Sequence, residues 1–112
     1  MHELSITRNI VAIVGDAAKG QRVRRVTLEV GKLSGMSSEA IAFCFEAVSR
    51  GTLLEGASLA IREVEGRGRC LNCGTEFAMA SLFAACACGS RRLERLQGEE
   101  LEIKTMELEE AV

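Results

Sequence analysis

The segment Arg24-Arg25-Val26-Thr27-Leu28-Glu29-Val30 alternates strictly, with Val26, Leu28 and Val30 pointing one way and Thr27 and Glu29 the other. That is the pattern of a strand buried on a single face. Helical spacing lies on both sides of it. From Leu4 to Lys19, Ile6, Ile10, Ile13 and Ala17 form one apolar stripe that Leu4, Val11, Val14 and Ala18 widen, and Gly20 stands where a helix ends. Beyond the strand, Gly31 to Ser37 is turn chemistry ending in capping serines. A second helix then presents Ile41, Cys44, Phe45 and Val48 on one face, with Gly51 just past its end.

Further along, Ser58 to Glu65 alternates around Leu59 and Ile61, and Leu101 to Leu108 around Leu101 and Ile103. In the latter the shift to Met106 and Leu108 marks a bulge or a strand end. Between them, Gly66 to Arg95 is rich in Gly, Cys, Arg and Ala and weakly periodic, which reads as an insert. The expected fold is α+β: two helices packed on a small three-stranded mixed sheet, interrupted by a four-cysteine, zinc-ribbon-like module. Residues 1–65 plus 97–112 form the first body and residues 66–96 the insert, with Gly66, Arg67, Gly68, Gln97 and Gly98 available as hinges.

The 112 residues suit one small domain carrying an appended module, and 47% hydrophobic with 27% charged residues is globular usage rather than disorder. Apolar runs are short and broken by charge, so no stretch is long enough to span a bilayer. Met1-His2-Glu3-Leu4 has an acid where a signal peptide carries cations, so a soluble, cytoplasmic protein is expected. The four aromatic residues are all Phe, so the Trp and Tyr platforms common in single-strand nucleic-acid binders are missing.

Five cysteines in so short a chain, read as cytosolic, point to a metal staple before disulfides. Cys70-Leu71-Asn72-Cys73-Gly74 is a CxxC knuckle, and Cys86-Ala87-Cys88-Gly89 is a second close pair. Two facing turns supply the four thiolates that tetrahedral Zn(II) takes. A rubredoxin-type iron site and a redox dithiol are the competing readings. Cys44, on the apolar face of the second helix, reads as a small buried hydrophobe.

The chain has one histidine, His2. A terminal α-amine, a deprotonated amide and the imidazole of the second residue make fused chelate rings. With one more donor they give the nitrogen-rich, square-planar set that suits Ni(II) or Cu(II). Met1 offers the amine and Glu3 a main-chain amide or a carboxylate. Glu3 and Glu39 also serve as acids in the first turn of a helix.

Taken together, Met1-His2-Glu3-Leu4-Ser5-Ile6, Gly31-Lys32-Leu33-Ser34-Gly35, Phe43-Cys44-Phe45-Glu46, Gly51-Thr52-Leu53-Leu54-Glu55-Gly56-Ala57 and Cys88-Gly89-Ser90 give the chain a resemblance over nearly its full length to the HypA/HybF family of hydrogenase nickel-incorporation proteins. The resemblance implies a nickel metallochaperone, not an enzyme. Ni(II) is its cargo, held at Met1, His2 and Glu3; Zn(II) is structural, held at Cys70, Cys73, Cys86 and Cys88. The implied partners are a maturation GTPase, the large subunit of [NiFe]-hydrogenase and urease maturation proteins. This chain itself has no GxxxxGK[ST] loop. One departure stands out: the family's second pair is usually CPxCGS, whereas here Cys86-Ala87-Cys88-Gly89-Ser90 is one residue shorter and lacks Pro.

The reading from another class is a zinc-ribbon module binding nucleic acid or protein. Arg67, Arg69, Arg91, Arg92 and Arg95 face only Glu76 and Glu94 within the insert. The overall charge of −2 and the acidic tail (Glu99, Glu100, Glu102, Glu107, Glu109, Glu110) argue against nucleic acid.

Overall fold

The computed structural model describes residues 2–110. Along them run α1 (Glu3–Ala18), β1 (Val23–Gly31), α2 (Ser38–Ser49), β2 (Ser58–Val64), β3 (Arg67–Cys70), β4 (Glu76–Ala78), β5 (Leu93–Gln97) and β6 (Leu101–Leu108). The alternating segment is the centre of a mixed sheet ordered β2-β1-β6, with β2 parallel and β6 antiparallel to β1. Both helices lie on the face presented by Val26, Leu28 and Val30, and the core adds Ile6, Ile10, Val11, Val14, Ile41, Phe45 and Leu54. The other face is polar: Arg62 and Lys104 reach the Glu29 carboxylate from the flanking strands at 3.3 and 3.8 Å.

The shift in periodicity along the last strand is a bulge. Thr27 pairs with Thr105 but Leu28 with Ile103, so Lys104 is the extra residue. On α1 the stripe is narrower than its sequence spacing suggests. Ile6, Thr7, Ile10, Val11, Val14 and Ala18 are buried, whereas Ile13 is 58% exposed and Ala17 also faces outward. The 100° step places Val11, Val14 and Ala18 on the Ile10 side and rotates Ile13 past the sheet edge. The helix ends with Lys19 in the left-handed conformation and Gly20 also at positive φ.

The weakly periodic stretch folds as a second antiparallel sheet ordered β4-β3-β5. Its inward positions on β3 are Gly68 and Cys70, so no apolar alternation announces it. Met79 supplies its buried apolar side chain and lies over Gly68. The two sheets stand end to end, and the Cα radius of gyration is 17.5 Å with a long axis of 59 Å. A compact chain of this size would measure about 13 Å.

The junction is densely knit. Leu33, 6% exposed, plugs it from the β1–α2 loop and donates its amide to Gly98 O at 2.7 Å. Gly31 N bonds Glu100 O, Lys32 N bonds Val64 O, Met79 N bonds Gly66 O, and the Gln97 side-chain amide bonds Glu65 O. A Cβ on Gly31, Gly66 or Gly98 would strike neighbouring backbone or Leu33. Gly66 and Gly98, two of the expected hinge residues, and Gly31 are points of close backbone approach.

Candidate metal centre

Each half of the cysteine module is a tight turn built by its own backbone. In the first, Gly74 N donates to Cys70 O and Cys70 N to Thr75 O, both at 2.9 Å, with Gly74 at φ +77°. In the shortened second turn, Gly89 N donates to Cys86 O at 2.8 Å and Cys86 N to Ser90 O at 2.9 Å, with Gly89 at φ +91°. The positive φ lets the chain reverse under the sulfurs, and only glycine adopts it freely. Leu71 N, bonded to Arg92 O at 2.9 Å, ties the first turn to the start of β5.

All four sulfurs lie within 4.8 Å of one another, with Cys70–Cys88 at 3.6 Å and Cys73–Cys86 at 3.5 Å. Zn–S bonds of about 2.3 Å in a tetrahedron require sulfurs about 3.8 Å apart. The cluster therefore fits a tetrahedral thiophilic ion, and the short CxC turn still delivers Cys86. Cys44 is free, half-buried and separate from this cluster.

The thiols are unequal. The Cys73 amide, helped by the Asn72 amide and the neighbouring sulfurs and opposed by burial, draws Cys70 down to about 6. The Thr75 hydroxyl, 3.3 Å from Cys73 Sγ, and the Thr75 amide lower Cys73. The Cys88 amide pulls Cys86 down too, but burial and hydrogen bonding among the other thiols outweigh it and push Cys86 up to about 12. Four thiols this close share protons as a set, and a cation that displaces those protons takes their place.

At the other end, His2 is the N-cap of α1, exposed, and its imidazole makes no capping bond. Glu3 Oε2 accepts a 2.9 Å hydrogen bond from the main-chain N–H of Ser37, the N-cap residue of α2. That bond is the main reason its carboxyl sits below the usual value. Thr7, fully buried within the apolar stripe, donates its hydroxyl to Glu3 O at 2.7 Å. Met1 lies outside the described residues. Glu39 is exposed in the first turn of α2 and, with Lys32, Met36, Ser37 and Glu63, lines a cleft of about 480 Å³. The capping role of Ser37 was legible in the sequence, but its main-chain bond to Glu3 and the role of Thr7 were not. A hydroxyl in an otherwise apolar helical stripe, one turn after the terminal acid, was the available signal for Thr7.

Within the insert, Arg69 is held by Glu94 at 2.8 Å and Glu76 at 3.8 Å, and Arg95 by Glu99 at 3.3 Å. Its basic excess is therefore partly neutralised. None of the described helices is long and apolar enough to cross a membrane.

A family model described as "Hydrogenase/urease nickel incorporation, metallochaperone, hypA" matches residues 1–108. A hydrogenase maturation factor HypA from Rippkaea orientalis is 55% identical over 111 residues, covering 98% of this chain and 97% of the relative. One from Geobacter metallireducens is 52% identical over 110 residues, covering 97% and 100%. In fold, the chain is similar to the solution structure of the Ni metallochaperone HypA from Helicobacter pylori, with a TM-score of 0.67 at 24% identity and 96% and 97% of the two chains covered. With a match along nearly its whole length and relatives above half identity, this chain belongs to the HypA family of hydrogenase and urease nickel-incorporation metallochaperones, and is not an enzyme.

Proposed function

We propose that the protein carries Ni(II) at its N-terminus, on donors from Met1, His2 and Glu3, and delivers it for assembly of the [NiFe]-hydrogenase active site. The observation that carries this reading is the state of His2: it is exposed, its imidazole makes no capping bond, and it immediately precedes α1. As the first helical residue, Glu3 has a main-chain N–H with no intrahelical acceptor, so deprotonating that amide on a metal breaks no helix bond. A site on a chain end binds and releases more readily than a closed cage, as a carrier requires.

Zn(II) is the ion we assign to Cys70, Cys73, Cys86 and Cys88, where it staples two turns whose own apolar content is small. In this reading residues 66–96 are the zinc module, and residues 1–65 with 97–112 are the nickel-binding body. The protein works in the cytoplasm with a maturation GTPase and the hydrogenase large subunit. The family description also names urease, so urease maturation proteins are further partners.

Calorimetric and visible-absorption titration of Ni(II) into zinc-loaded protein with its native N-terminus tests the proposal. Stoichiometric binding with a square-planar d–d spectrum is expected, lost in His2→Ala and in protein extended before Met1, while zinc is retained. Equal nickel binding by all three proteins would overturn it.

A further inference from the structure

The side chain of Glu3, unlike the exposed imidazole of His2, is already engaged within the fold. Its carboxylate reaches across 34 residues of sequence to the Ser37 amide at 2.9 Å. Ser37 is itself fully used as a cap: its hydroxyl accepts from Ala40 N at 3.2 Å and its carbonyl from Ile41 N at 3.0 Å. Its own N–H points away from α2, and the carboxylate from α1 satisfies it. A charged acceptor at a main-chain N–H makes one of the stronger protein hydrogen bonds. At the other end of the same residue, the buried Thr7 hydroxyl fixes the Glu3 carbonyl.

Resting on the terminal-nickel reading above, we propose that the Glu3 carboxylate is a positioning residue and not a nickel ligand. It clamps the start of α1 to the start of α2, so that His2, the N-cap of α1, is held beside the cleft that Ser37 lines. An unrestrained chain end must lose conformational entropy when its donors close around a metal. The clamp removes part of that loss before the metal arrives. It also commits the carboxylate elsewhere, so whatever Glu3 contributes to nickel comes from its main chain.

The test is Ni(II) titration of zinc-loaded protein with native Met1, comparing wild type with Glu3→Ala, Glu3→Gln and His2→Ala. Zinc content and helical circular dichroism verify that each variant is folded. Glu3→Ala is expected to lower nickel affinity roughly tenfold with the d–d bands unmoved, because the clamp is lost but the donor set is not. Glu3→Gln, whose amide oxygen still accepts from Ser37, is expected to recover affinity to within about twofold of wild type. Displaced d–d bands in both Glu3 variants would show the carboxylate to be a ligand and overturn the proposal. So would wild-type affinity in Glu3→Ala while His2→Ala loses nickel. If His2→Ala binds like wild type, the terminal site itself fails and the clamp's role fails with it.

Discussion

Gly31 and Gly98 meet backbone to backbone at the boundary between the two sheets, and a methyl group on Gly31 would overlap the Gly98 carbonyl. Gly98 also lies at φ +115°, where its own Cβ would come 2.7 Å from Gly66 Cα. The connection between the lobes is thus short, closely packed and knit by hydrogen bonds, with Leu33 filling it and no room for a Cβ at Gly31, Gly66 or Gly98. Gly31→Ala and Gly98→Ala should each destabilise the protein by about 2–4 kcal/mol, through overpacking in the first case and added backbone strain in the second. Thermal unfolding of the zinc-loaded proteins measures this. A change under about 0.5 kcal/mol would mean that the junction yields easily.

The register of α1 gives a second prediction. Ile10 is 6% exposed and packs in the core, whereas Ile13 is 58% exposed. Ile10→Ala should therefore cost about 2–5 kcal/mol and Ile13→Ala less than about 1 kcal/mol in urea unfolding. Equal costs would place Ile13 against the sheet.

Sequence periodicity was sufficient for the central strand, both helices and the bulge near Lys104, because each buries Val, Leu, Ile or Phe on a regular face. It was insufficient where burial uses other chemistry. β3 turns Gly68 and Cys70 inward, so the second sheet carries no hydrophobic signal. The cysteine spacing and the glycine after each pair announced a metal cluster on tight turns, yet the shortened Cys86-Ala87-Cys88 turn also depends on the Ser90 carbonyl, which the spacing does not specify. Likewise His2 and Glu3 were legible as a pair at a chain end. The engagement of Glu3 by Ser37 joins positions 34 residues apart and follows only from how α1 and α2 pack.

The short turn also predicts how much the module depends on Cys86. A tetrahedral site with one thiolate replaced by a poor donor loses both a bond and the turn that the bond closes. Cys86→Ser should weaken zinc binding by more than the roughly 10–100-fold typical of losing a supporting partner around a metal. It should also broaden the NMR resonances of residues 66–96 while those of α1, α2 and β1 stay sharp. Competition with a chelator gives the first quantity directly. Unchanged affinity would mean that three cysteines and a water suffice.

Acidification should open the same site in a defined order. A thiol lowered in the folded protein contributes stability at high pH and loses it as pH falls through its folded value. Cys70, drawn down to about 6, therefore holds its thiolate across neutral pH. Cys86, pushed up to about 12, favours its proton, so its bond depends on the metal outcompeting that proton. As pH falls from 7 to 5, protons should reclaim Cys86 first and Cys70 last. Cobalt substitution makes this visible. The sulfur-to-cobalt charge-transfer band should weaken in an early step that is absent from Cys86→Ser and retained in Cys88→Ser. One cooperative loss in every variant, with no early step, would show that the four sulfurs release the metal as a single unit.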